Sequence, residues 1–95
     1  MKLGDLCTIK TNFPDADFWL VRKGMESKCG KPHKEYNPED IGIKVTATDI
    51  ILPSYLYYVM MHLHNSGYYR DKTIGSLNLK HIISSDIKNI PLAPS

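Results

Sequence analysis

The stretch Pro53-Ser54-Tyr55-Leu56-Tyr57-Tyr58-Val59-Met60-Met61-His62-Leu63-His64-Asn65-Ser66-Gly67 decides the fold. Proline is tolerated in the first turn of a helix, where its missing N–H has no intrahelical partner, and glycine supplies the left-handed residue that follows a helix end. A proline near the start and a glycine just past the end therefore bracket a helix over about 53–66. Leu56, Met60 and Leu63 share one stripe, and apolar character from Tyr55 to Met61 wraps most of the cylinder. That distribution predicts that much of the helix is buried, and a buried helix requires a second layer to pack against.

Strands on the N-terminal side supply that layer. Asp17-Phe18-Trp19-Leu20-Val21-Arg22 is rich in aromatic and branched residues, and its unbroken apolar run predicts burial on both faces near Trp19. Ile41-Gly42-Ile43-Lys44-Val45-Thr46-Ala47 alternates, so Ile41, Ile43, Val45 and Ala47 fall on one face and Lys44 on the other. A first strand is expected from Asp5 to Lys10, ended by Asn12, Pro14 and Asp15. Residues 24–40 hold turn chemistry with little to bury, which predicts a long loop or a loose hairpin. After the main helix, Leu77 to Ile83 is read as a short second helix and Ile87 to Leu92 as a last edge strand, because Pro91 cannot donate a ladder hydrogen bond. The fold class is α+β: a small mixed or antiparallel sheet packed by one main helix (53–66) and a short second one (77–83), in a single domain over residues 1–95.

With 95 residues the chain has the length of one domain, and 42% hydrophobic residues is enough apolar material for a core. The opening MKLGDLCTIK places Asp5 before any apolar run, which does not match a signal peptide, so a cytoplasmic location with Cys7 and Cys29 as reduced thiols is expected. The apolar run Ile50 to Met61 is shorter than the roughly 20 residues a bilayer crossing needs, so no membrane partner is expected.

Enzyme-like chemistry finds little support. Structural zinc needs two pairs of closely spaced ligands, and Cys29 with His33 is a single loose pair, so no metal is expected. His62 and His64 are two apart on a helix and point to different faces, one of them to solvent. Gly24 and Gly30 lack the strand, spacing and helix of a phosphate-binding loop, which leaves no cofactor indicated. Glu35, Glu39 and Asp40 lie in a polar loop where solvated acids are ordinary. No catalytic residue is assigned.

Charge is distributed unevenly instead. The net charge is only +2, but Arg22, Lys23, Lys28, Lys31 and Lys34 face Glu26 alone within residues 21–34, and Glu35, Glu39, Asp40 and Asp49 then reverse the sign. Lysines on a flexible loop suit the phosphates of double-stranded DNA, which bring affinity without sequence preference, and Arg70 and Lys72 extend the candidate surface. The bland alternative is a solvated, lysine-rich loop. Tyr55, Tyr57, Tyr58, Tyr68 and Tyr69 are read as core and rim rather than as base-stacking platforms.

The order of these pieces resembles a target recognition domain from the specificity subunit of type I restriction-modification enzymes. Lys2-Leu3-Gly4-Asp5-Leu6-Cys7-Thr8-Ile9-Lys10 is similar to the opening of such domains, and Ile51-Leu52-Pro53-Ser54-Tyr55-Leu56-Tyr57-Tyr58 to their helix entry. Gly75-Ser76, Leu79 to Ile83 and Ile87 to Pro91 are similar to their closing segments. The resemblance implies a non-catalytic, double-stranded DNA-binding module, with methyl transfer and cleavage left to other subunits. Family domains are longer and paired by helical spacers, so a complete specificity subunit is not expected. A second copy, joined through the 53–66 helix, would replace the missing half. The competing expectation is a protein-interaction module, an inhibitor or decoy of restriction or other subunits, that does not touch DNA.

Overall fold

A computed structural model describes residues 1–76 and 78–92. Four strands form an antiparallel sheet in the order β1 (Cys7–Lys10), β5 (Ile41–Val45), β2 (Phe18–Leu20), β4 (Pro32–His33). The register sets Cys7 opposite Val45, Phe18 opposite Ile43, and Trp19 opposite both Gly42 and His33. The alternation read from β5 holds: Ile41, Ile43 and Val45 are buried and Lys44 is exposed. β2 is buried at all three residues, Trp19 among them at 6% exposure, and the indole N–H donates to the Phe13 carbonyl at 2.9 Å. A buried indole needs such an acceptor for its one donor.

The polar stretch 24–40 takes the hairpin form. β2 pairs with β4, and Val21 and Gly30–Lys31 continue the ladder through Val21 N–H to Lys31 O and Gly30 N–H to Val21 O. Within it β3 (Lys23–Gly24) leaves the first sheet and joins a second, ordered β3, β7 (Leu79–His81), β6 (Ile74–Ser76), also antiparallel.

That second sheet corrects the expectation of a helix over residues 77–83. The segment contains β7, and the short helix α2 lies further on at Ser84–Lys88; Leu77 is outside the described residues. An apolar run of this length fits either period, and here pairing with strands on both sides decides for β. The last edge strand is corrected as well. Ile87 and Lys88 end α2, and only Pro91 makes a bridge, to Lys2.

The main helix α1 spans Pro53–Asn65. Its C-terminus is closed by Gly67 N–H to His64 O and Tyr68 N–H to Leu63 O, with Gly67 at φ +79°. This paired closure satisfies two carbonyls a helix end leaves open, and it needs a left-handed residue at Gly67. Leu56 and Met60 are buried, Leu63 is half-buried, and the Tyr57 ring meets Phe18 edge-on at 5.4 Å. The wider burial expected of this helix is not realised. Tyr55 and Tyr58 are 63% and 71% exposed, flanked by exposed Ile50 and Leu52, because α1 meets the core along one stripe only. The core is completed by Leu3, Leu6, Ile9, Leu20, Tyr69, Ile82, Ile87 and Ile90, drawn from both ends of the chain.

Candidate nucleic-acid interface

The seven cations singled out by sequence do not form one free surface. Arg22 is half-buried, and its guanidinium Nε donates to the Glu39 carbonyl at 2.6 Å. Lys23 pairs with the Glu39 carboxylate at 3.2 Å. Lys34 lies over the Tyr57 ring, 4.9 Å from its centre. Lys72 lies 4.0 Å over Tyr68, donates to the Tyr68 carbonyl and sits 3.8 Å from Asp71. Lys28, Lys31 and Arg70 are exposed, and among the described residues their side chains have no hydrogen-bond or ion-pair partner. The acidic segment after residue 34 thus folds back on the start of the basic one, pairing Lys23 with the Glu39 carboxylate and holding Arg22 on the Glu39 carbonyl, and leaves the middle of the loop cationic.

Two elements converge beside that cationic middle. Lys28 and Cys29 N–H both donate to the Met25 carbonyl, which makes the tip of the β2–β4 hairpin a compact turn. Gly30, at φ +86°, then seats this turn on the Tyr69 ring, which a Cβ would approach to 2.2 Å. From the other side the closure of α1 at Gly67 turns the chain so that Tyr69 enters the core and Arg70 stays outside. Between them lies a partly open cavity of about 740 Å³, walled by Glu26, Ser27, His64, Asn65 and Arg70 with Tyr69 at its side. Arg70 and the hairpin tip therefore share one concavity, to which the tip contributes Met25, Glu26, Ser27 and Cys29 rather than a lysine. Lys72, although two residues from Arg70, is turned to Tyr68.

The wall chemistry follows from what each group already does. His64 Nδ1 lies 3.2 Å from the Cys29 carbonyl, which only accepts, so Nδ1 donates and, in the tautomer this imposes, Nε2 is an acceptor with no partner among the described residues. The Cys29 thiol is directed to the carbonyls of Lys80 and Arg22, at 3.6 and 3.9 Å, and burial raises its pKa, with Glu26 adding to the shift. It is a buried structural thiol. The Tyr69 hydroxyl is closed to solvent and has no hydrogen-bond partner among the described residues, while burial and neighbouring Tyr68 push its pKa upward. An unpaired buried hydroxyl costs about 1–3 kcal/mol and is rare enough to call for a reason.

A second polar cluster has no counterpart in the sequence pattern. His33 Nε2 lies 2.6 Å from a carboxylate oxygen of buried Asp40, whose other oxygen accepts the Arg22 N–H. The Glu35 N–H donates to His33 Nδ1, and the ring stacks on Trp19. Both ring nitrogens are thus committed, which makes the cluster a brace between β2, β4 and β5. Nothing in residues 33–40 marks it beforehand, since Asp40 looks like one solvated acid among several.

Cys29 and His33, the loosely spaced pair, are directed to different partners, and no three His, Cys, Asp or Glu residues gather as a ligand set among the described residues. Both cysteines are free and buried. His62 is exposed and His64 half-buried, as their spacing required. The tyrosines divide: Tyr69 is buried and Tyr57 and Tyr68 are half-buried, but Tyr55 and Tyr58 are surface residues. Among the described residues no helix is long and apolar enough to cross a membrane. Comparison with protein-family models, curated proteins and solved structures gave no match.

Proposed function

We propose that this protein is a non-catalytic double-stranded DNA-binding module, similar in role to a restriction-modification specificity domain and acting as a regulator or competitor at DNA. The observation that carries the reading is that Lys28, on the hairpin tip, and Arg70, on the cavity that the same tip walls through Glu26, Ser27 and Cys29, are exposed cations without an intramolecular partner among the described residues. Cations that are not already paired are the ones able to displace counterions from a phosphate backbone. Lys31 adds a third. Arg22, Lys23, Lys34 and Lys72 are secondary in this reading, because a protein acceptor or aromatic face already holds each one.

The exposed apolar strip Ile50, Leu52, Tyr55 and Tyr58 favours a second reading, a protein-interaction module, and the same strip is where a second copy would join through α1. Salt separates the two. Anisotropy titrations with random-sequence duplex at two salt concentrations should show affinity falling steeply with salt if phosphates are bound. No duplex binding at low salt, with a protein partner co-purifying, replaces the DNA reading with the second one.

A further inference from the structure

The cavity beside Arg70 has room for more than a phosphate, and its wall adds the Glu26 carboxylate, an amide, a hydroxyl and an imidazole to the one positive charge. We propose that it receives a single unstacked nucleotide, with the phosphate on Arg70 and the base edge on the wall amides and imidazole. The proposal rests on the DNA-binding reading and specifies what enters this part of the site.

Three observations carry it. The volume, about 740 Å³, falls in the range of small-ligand sites, roughly 300–1,000 Å³, and holds a base with its sugar and phosphate. The wall mixes hydrogen-bonding types: Asn65 offers donor and acceptor together, Ser27 does the same, and His64 Nε2 is an acceptor left bare by the tautomer its neighbour imposes. Paired donors and acceptors on a planar amide match the edge of a base, as when asparagine grips adenine at two atoms. Arg70 is the one cation on this wall among the described residues, and its guanidinium fork suits a phosphate. Extruding a base from a duplex costs a few kcal/mol, least where it is already unpaired, so a bulged or single-stranded position is the expected source.

The test uses the intact protein, a fully paired duplex, the same duplex with one bulged nucleotide, and a free mononucleotide as competitor. Wild-type protein should bind the bulged duplex about tenfold more tightly than the paired one, a difference of about 1.4 kcal/mol. The mononucleotide should compete away that advantage while leaving paired-duplex binding in place. Asn65→Ala should abolish the preference for the bulge and keep paired-duplex affinity, with an unchanged melting temperature showing that the fold is intact. Equal affinity for paired and bulged duplex, with no saturable mononucleotide binding, overturns the proposal and leaves DNA binding standing. Mononucleotide binding that survives when duplex binding is absent supports the cavity as a nucleotide site and removes the DNA-binding reading instead.

Discussion

A Cβ on Gly30 would stand 2.2 Å from two atoms of the Tyr69 ring, so the hairpin tip and the turn after α1 sit at a separation that only glycine permits. Gly30→Ala should therefore lower stability by at least about 2 kcal/mol, combining overpacking with the strain of a left-handed alanine. The urea midpoint should fall at unchanged slope. Adding Tyr69→Leu should recover part of the Gly30→Ala loss, because the two positions touch and their effects cannot be independent. Simple additivity in that double variant would show that the close approach is not the cause.

The two faces of α1 should respond differently to truncation. Leu56 is fully buried, so Leu56→Ala should cost about 2–5 kcal/mol, the usual loss for an emptied core leucine site. Tyr58→Ala, on the exposed face, should change stability by no more than about 0.5 kcal/mol. Denaturant titrations of both variants measure the contrast, and a large loss in Tyr58→Ala would mean that something covers that face in solution.

The same contrast marks how far the fold is legible in the sequence. The helix bounds are legible because proline and glycine act locally, within a turn of where they stand. The share of the helix that is buried is not, because Tyr55 and Tyr58 are as apolar as Tyr57 and only the size of the facing surface separates them. β7 reads as helix for a similar reason: its pairing partners, Lys23–Gly24 and Ile74–Ser76, decide its conformation, and the former lies more than fifty residues away. For the candidate site, charge runs pick out the loop and Arg70, and the structure adds which of these cations are exposed without a partner among the described residues. The sequence does not show that Glu39 pairs with Lys23 through its carboxylate and holds Arg22 through its carbonyl, or that Lys34 and Lys72 rest on tyrosine rings.

Alkaline pH should destabilise the protein. Burial, with Asp17 adding to the effect, pushes the Cys7 thiol up to about 11, and Cys29 and Tyr69 move in the same direction. In the unfolded chain a thiol titrates near about 8.5. Above that pH the unfolded state releases a proton the folded state keeps, so the stability is fully present below about pH 8.5 and is lost as pH rises toward the folded value. Melting temperature should be level from about pH 7 to about 8.5 and then fall, and Cys7→Ala should show a shallower fall. A flat profile to about pH 10.5 would contradict the burial of these groups.

Duplex binding should depend on the unpaired cations. Lys28→Ala with Lys31→Ala should weaken affinity on all sequences alike and reduce the salt slope by about one unit for each phosphate no longer neutralised, because phosphates carry no sequence information. Lys23→Ala should do less, since that ammonium already faces Glu39. Arg70→Ala should weaken affinity in the same sequence-independent way, since its guanidinium meets a phosphate. Salt-dependent anisotropy on the wild type and these variants gives the comparison. A larger slope change in Lys23→Ala than in the double variant would place the phosphate surface elsewhere.

The pairing of Lys2 with Pro91, with the Leu3 N–H donating to Ile90 and the Leu92 N–H to Met1, has a consequence for assembly in time. Leu3 and Leu6 are buried among residues such as Ile82, Ile87 and Ile90, so they acquire these partners only after much later residues have been made. Closing so long a loop incurs its entropic cost before the burial it permits can compensate, which slows folding relative to a chain of local contacts. Until Ile82, Ile87 and Ile90 have been made, Leu3 and Leu6 are uncovered on that side. A chain stopped before Ile82 would keep them so, and would be a substrate for chaperones or proteases rather than a smaller version of the fold.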